Sequence, residues 1–245
     1  MKLRCLGSGS SGNSYILEAS DGILLIEAGI PLMEVKKALR FDLSKVRGCL
    51  ISHRHNDHAK YVNDFLMAGI RVLALKDVFE SHDIRIAAFH KEIEPKHGYI
   101  VGGFKVFTLS IAHDVPCLGF IIEHREMGRL LFITDTMMIE YVVPRLNHIM
   151  IEANYSDDIL DYNIENGITP AGMRDRLLHS HMELNTTRDF LLANDLSEVH
   201  EIILIHLSGN NSNPEDFSWF ISRETGKLTY VAKKGFEIDI DNEPY

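Results

Sequence analysis

Short apolar runs recur along this chain in two blocks, and in each block the strand-like runs come first and helical periodicity follows. That order constrains the fold more than any other feature. Residues 13–19 (NSYILEA) and 22–27 (GILLIE) read as apolar strands joined through Asp21-Gly22, a hairpin signal. A helix is expected over 31–40, with Pro31 in its first turn and Val35, Ala38 and Leu39 on its inner face. The run GCLIS (48–52) reads as a short buried strand and 58–67 as a helix. Further strands are expected at 71–75, 99–101, 104–110, 118–123, 129–134 and 148–153. Helices are expected at 157–162, 170–179 and 186–194, then a strand at 201–206, a helix at 214–222 and a closing hairpin at 227–239. Two mixed sheets covered by helices satisfy this α/β order. No Pro-rich, Ser-rich or like-charge run and no repeat divides the chain, so one domain over 1–245 is expected.

With 245 residues and 45% hydrophobic content, a sizeable core can be buried. Cys5, Cys49 and Cys117 are too few for a disulfide framework, which points to a reducing compartment. The amino terminus lacks an apolar signal core, and no stretch approaches the roughly 18 apolar residues of a spanning helix. A soluble, cytoplasmic protein without membrane contact is therefore expected. A formal net charge of −10 argues against a general electrostatic grip on nucleic acid. It leaves room for a local site, because two divalent cations would add positive charge where a phosphate lands.

The stretch SHRHNDH (52–58) follows the buried run GCLIS directly. His53 and His55 stand two apart, so at an extended strand end both rings can face one ion. Asp57 and His58 are adjacent, and from the start of a helix they can turn to a second ion beside the first. The spacing suits two metals better than one; the alternative is a solvated, His-rich turn. Three more residues lie at or just past strand ends: His113 after VFTLSI, Asp135 after LLFIT and His206 after EIILI. Strand ends of this kind collect at one rim of a sheet, where α/β proteins build their sites.

This pattern resembles the metallo-β-lactamase superfamily, whose H-x-H-x-D-H motif is followed by a lone His, a lone Asp and a final His. The resemblance implies an αββα sandwich with the site at one edge of the sheets. It also implies that His53, His55 and His113 hold one metal, Asp57, His58 and His206 a second, and that Asp135 bridges both. The interval from Asp135 to His206 is 71 residues, too short for the inserted domain of β-CASP nucleases. LGSGSSGNSYIL (6–17), EANY (152–155), SHMELNTTRDFL (180–191) and HLSGNN (206–211) are similar to the bacterial YycJ/WalJ-like group, to whose members DNA exonuclease activity is assigned. Two departures stand out. Glu27-Ala28-Gly29 occupies the usual Asp-x-Gly position, and Ala59-Lys60-Tyr61 replaces the glycine usual after the D-H pair.

Two divalent ions about 3.5–4 Å apart can generate a bridging hydroxide at neutral pH and clamp substrate oxygens, which suffices to hydrolyse a phosphodiester. Asp57 is the candidate for orienting that hydroxide or accepting its proton. His181, in HSHMELN, is the candidate partner of the leaving oxygen, as the resemblance implies for a histidine from this region; its alternative is a surface histidine at a helix start. The loop holding Ser8, Gly9, Ser10 and Ser11 could cradle a phosphate on its backbone N–H groups or be a plain turn. Asn154, Ser208 and Asn210 are candidate pocket residues, although such residues after strands are normally turn formers. His82, His90, His97, His124, His148 and His200 read as surface residues. Imidazole and carboxylate without thiolate suit zinc or manganese, with iron also compatible.

The leading expectation is a dinuclear phosphodiesterase, a nuclease acting on DNA. One alternative keeps the metals but takes a lactone, a β-lactam or a cyclic phosphodiester; another is a metal-binding scaffold without turnover. Lys36, Lys37, Arg174 and Arg176 are scattered candidates for gripping a strand, a kind of charge that helix faces carry routinely.

Overall fold

The strand-then-helix order resolves into two seven-stranded sheets in a computed structural model, which describes residues 1–84 and 88–242. The first sheet is built from β1 (Lys2–Gly7), β2 (Ser14–Glu18), β3 (Ile23–Ile26), β4 (Val46–Leu50), β5 (Val72–Ala74) and β6 (His90–Glu92). The second holds β7 (Gly98–Val101), β8 (Phe104–Ile111), β9 (Cys117–His124), β10 (Gly128–Ile133), β11 (His148–Glu152), β12 (Glu201–Ile205) and β13 (Leu228–Val231). β14 (Glu237–Asp239) returns to the first sheet, giving the order β14-β1-β2-β3-β4-β5-β6 against β13-β12-β11-β10-β9-β8-β7.

Between the sheets lies one apolar layer in which Leu17, Leu24 and Leu50 meet Phe104, Phe120, Phe132 and Ile203. Tyr15 and Phe132 cross this layer edge to face, with ring centroids 5.6 Å apart. On the outer face of the first sheet pack α1 (Leu32–Ala38), α3 (Val62–Met67) and α4 (Lys76–Ser81); α7 (Leu184–Ala193) and α8 (Pro214–Thr225) cover the second. This is the expected αββα sandwich. Sandwiching explains the apolar runs ILLI in β3 and IILI in β12, since both of their faces are buried.

Two expectations are corrected. The segment 227–239 is not a hairpin: β13 pairs parallel with β12, whereas β14 pairs antiparallel with β1 in the other sheet. Alternating apolar residues mark a strand but do not choose its partner, and each of these strands completes a different sheet edge. The helix expected at 58–67 is two helices, α2 (Asn56–Ala59) and α3. They part because Tyr61 N donates to Ala28 O (3.0 Å), and His58 O accepts from Ala28 N (2.7 Å), tying the chain to the segment after β3. α4 and β6 had no counterpart in the sequence expectations. No helix among the described residues is long and apolar enough to cross a membrane.

Candidate active site

β8, β10 and β12 run in the same direction, so their carboxyl ends share one rim. His113 follows β8 by two residues, Asp135 follows β10 by two, and His206 follows β12 directly. From the facing sheet, β4 delivers Ser52 and His53, and α2 carries Asp57 and His58. Glu27, directly after β3, has φ 67°, and Asp135 and His206 have φ 43° and 54°. A left-handed backbone costs a non-glycine residue about 1–3 kcal/mol. Three strained residues at strand exits aim their side chains into one space.

All seven expected ligand residues converge there, in two groups. In the first, His55 Nδ1 lies 3.1 Å from His53 Nε2 and 3.3 Å from His113 Nε2. In the second, His58 Nε2 lies 3.0 Å from Asp135 Oδ2 and 3.4 Å from Asp57 Oδ2, which is 3.2 Å from His206 Nε2. Nitrogen donors around a tetrahedral ion with bonds of about 2.0–2.1 Å stand about 3.3 Å apart, so the spacing fits an ion in each group. The groups abut, with the His53 and His58 rings 4.2 Å apart.

Far nitrogens of His53, His113 and His206 have hydrogen-bond partners of their own, which fix the near ones, whereas the far nitrogen of His58 makes no hydrogen bond among the described residues and meets Glu27 only as an ion pair. His113 Nδ1 donates to Ser180 O (3.0 Å), so its Nε2 lone pair faces the first group. Ser52 Oγ lies 2.9 Å from His53 Nδ1, and Glu27 Oε1 lies 3.3 Å from His58 Nδ1. Glu27 also accepts from Ser52 N at 3.3 Å, so the longer side chain at this departure from the family pattern still reaches the site.

Glu152 is the residue that sequence reasoning missed. It is wholly buried, and its Oε1 accepts from His181 Nδ1 (2.7 Å) and His206 Nδ1 (3.2 Å). Its Oε2 accepts from Thr136 N (3.1 Å) and Met182 N (3.2 Å). His181 caps the carboxyl end of α6 (Met173–Ser180) and stacks on the His206 ring at 5.4 Å. The motif EANY already contained Glu152; nothing local revealed that its carboxylate meets two histidines from distant segments.

Charge separates the two groups. Burial, reinforced by His58, pushes His53 well below its ordinary value, and burial lowers His113. Burial also opposes charge on His206, yet Asp135, Asp57 and Glu152 outweigh it and raise His206 to about 10. His58 is raised well above its ordinary value, against burial, by Asp135 and Glu27. Burial would raise Asp57 and Asp135, but the same histidines hold both carboxyls far below the usual range. Without a cation, protons on His58 and His206 supply the positive charge these carboxylates demand.

The Gly/Ser loop divides. Ser10 lines the cavity of about 300 Å³ over the two groups, together with His55, Asn56, Asp57, His113 and His181. Ser8 Oγ instead accepts from Tyr15 OH and His206 N, both at 2.9 Å, and Gly9 N donates to Asn13 Oδ1 (2.8 Å). Ser11 is exposed and outside the cavity lining. Asn13 Nδ2 reaches Asp57 O (3.1 Å) and lies 3.0 Å from His58 Nε2, fastening the loop to the motif. Gly29 allows this: a Cβ there would sit 1.7 Å from Asp57 O. Asn154 Nδ2 donates to His206 O (2.8 Å), and Ser208 Oγ accepts from Asn211 N (3.2 Å) and Asn210 N (3.4 Å), so these residues shape the backbone outside the cavity.

A larger cavity of about 590 Å³ lies at the opposite strand ends, between Asp21, Lys105, Arg145 and Asn147, and holds none of these groups. Two histidines there are not surface residues as expected. His124 is buried against Asp21 Oδ1 (3.0 Å), and His148 is buried with Nε2 donating to Met127 O (2.8 Å) and Nδ1 2.5 Å from Glu201 Oε1. Their acceptors come from other turns and strands, which a local charged context does not reveal.

Residues 7–199 match the sequence profile of the metallo-beta-lactamase superfamily. The exodeoxyribonuclease YycJ of Bacillus anthracis is 25% identical over an alignment of 266 positions, covering 98% of this chain and 94% of its own. The exodeoxyribonuclease WalJ of Streptococcus pneumoniae is 24% identical over 230, covering 87% and 84%. Among solved structures, the metallo-β-lactamase fold protein YhfI of Bacillus subtilis superposes with a TM-score of 0.76 at 16% identity, covering 97% of this chain and 98% of its own. A sandwich of two seven-stranded sheets, ligand-bearing loops gathered at one rim and a profile match over most of the length agree: the chain belongs to the metallo-β-lactamase superfamily, as a hydrolase with a candidate metal site.

Proposed function

We propose that this chain is a phosphodiesterase acting on nucleic acid, a DNA exonuclease, that works as one hydrolase domain with two divalent metal ions. The observation that carries the reading is the convergence of His53, His55 and His113 beside Asp57, His58, Asp135 and His206 under one cavity. The first three would hold one ion and the last four the other, with zinc and manganese both suited to such ligands. The chemistry such ions supply when bound is activation of water as a nucleophile and charge neutralisation at a phosphoryl group. That the relatives matched along most of their length are exodeoxyribonucleases favours a DNA strand over a lactone or β-lactam. Cys5, Cys49 and Cys117 are free and buried, which favours a reducing, cytoplasmic setting.

In this reading Asp57, besides helping to hold an ion, orients the attacking water or accepts its proton. His181 gives a proton from Nε2 to the leaving oxygen, because Glu152 holds the other nitrogen. Against burial, Glu152 and Asp135 raise His181 above its ordinary value, which favours the protonated ring that this role requires. Wild-type and Asp57→Ala protein, each loaded with zinc or manganese, should be assayed on bis-p-nitrophenyl phosphate, end-labelled linear DNA, RNA and a lactone. Wild type is expected to shorten DNA from an end, and the variant to be slower by about 10²–10⁴-fold. Lactone turnover with no phosphodiester cleaved overturns the reading.

A further inference from the structure

Resting on the phosphodiesterase reading, we infer that Arg176 is a substrate-binding residue that grips the phosphate next to the one being cut. Among the described residues, Arg176 is the one lysine or arginine that lines the cavity over the two ligand groups. Asp57, Asp114 and Asp135 line the same space, and the chain as a whole carries a net charge of −10. Within this cavity the carboxylates repel an incoming strand, and this guanidinium, beside the ions that the two groups would hold, is a permanent positive charge that attracts it. Arg174, two residues earlier on α6, is occupied in an ion pair with Asp161. Arg176 is exposed at the rim, and no acceptor for its guanidinium occurs among the described residues.

The helix also holds Arg176 in a fixed relation to the site. Ser180, one turn later on the same face, donates from Oγ to Arg176 O (2.6 Å), and its own carbonyl accepts from His113 Nδ1 (3.0 Å). The base of the arginine is thus one helical turn from a ring that faces the first ligand group. A guanidinium at the rim, rather than the floor, meets a phosphate beyond the scissile one. Its fork geometry matches two phosphate oxygens at once, which a lysine cannot reproduce. A cavity of about 300 Å³ is at the small end for ligand sites, so a strand enters by its end and presents its next phosphate to the rim.

The test compares the thymidylate trimer TpTpT, which has a second phosphate, with the dimer TpT, which does not. Metal-loaded wild type is expected to show kcat/KM at least tenfold higher on the trimer. Arg176→Ala should bring that ratio close to one, Arg176→Lys should recover it only in part, and Arg174→Ala should leave it as in wild type. On longer single strands, Arg176→Ala should also flatten the slope of log KM against log salt by about 0.7, the share of one phosphate contact. A trimer preference that survives in Arg176→Ala, or one lost equally in Arg174→Ala, overturns the assignment to Arg176 while leaving the phosphodiesterase reading intact. If wild type cleaves bis-p-nitrophenyl phosphate but neither oligonucleotide, the assignment fails together with the nuclease reading. If it cleaves no phosphodiester at all, the underlying reading fails first.

Discussion

Glu152 shows at the residue scale how one buried carboxylate can organise a site. Four donors converge on it, two from imidazoles and two from backbone N–H groups, and every one of its hydrogen bonds is charge-assisted. Glu152→Gln keeps the shape but turns a donor toward donors. The expected outcome is a folded protein with metal affinity reduced about 10–100-fold, read by chelator competition. The candidate ligands themselves were legible in the sequence because histidine and aspartate at tight spacing after an apolar run have few other uses. Their anchors were only partly so. Glu27 stood out at the family's Asp-x-Gly position, but Ser52 and Glu152 look ordinary until folding sets each beside a ring nitrogen, and the positive φ of Glu27, Asp135 and His206 leaves no mark in residue type.

At the scale of elements, most strand positions were legible to within a few residues because burial on both faces of a sandwiched strand demands continuous apolar runs; β6, a short and largely exposed edge strand, carries no such run. Helix ends obey equally local rules. α8 opens with Asn213, whose Oδ1 accepts from Glu215 N (3.1 Å) and Asp216 N (3.4 Å), ahead of Pro214. Asn213→Ala should cost about 1 kcal/mol, measurable as a lower urea midpoint with an unchanged slope. Pairing is another matter. β13 and β14 share the same alternating look, and only the vacancies beside β12 and β1 decide that they part company. The break between α2 and α3 has the same origin, since Tyr61 N finds its acceptor on Ala28 rather than within a helix.

Across the whole molecule, the site is a clasp between two sheets. His53, His55, Asp57 and His58 follow β4 of one sheet, and His113, Asp135 and His206 follow strands of the other. Ions held by both halves should therefore stabilise the molecule as a unit. For free metal at a thousandfold its Kd the gain is about 4 kcal/mol per ion, roughly 8–16 °C in Tm, to be lost on chelation in a calorimetric scan. The gain should also depend on pH. With His206 raised to about 10 from its ordinary 6.5, its pairing with the carboxylates stabilises the metal-free protein in full below about pH 6.5, and that contribution fades as pH rises through about 10. A cation must displace the same proton. The Tm difference between loaded and chelated protein should accordingly widen as the pH is raised across this window.

The sequence by itself determined which side chains are present, that they follow strands, and that their chemistry suits metal binding, because hydrophobic period and ligand chemistry are both local properties. Tertiary structure alone decided which nitrogen of each histidine faces inward, that Glu152 joins His181 to His206, that Ser8 braces a backbone while Ser10 lines the cavity, and that Arg176 rather than Arg174 stands at the rim. Each of these depends on a partner far away in the chain, and a hydrogen bond or an ion pair exists only when folding brings both of its ends within reach.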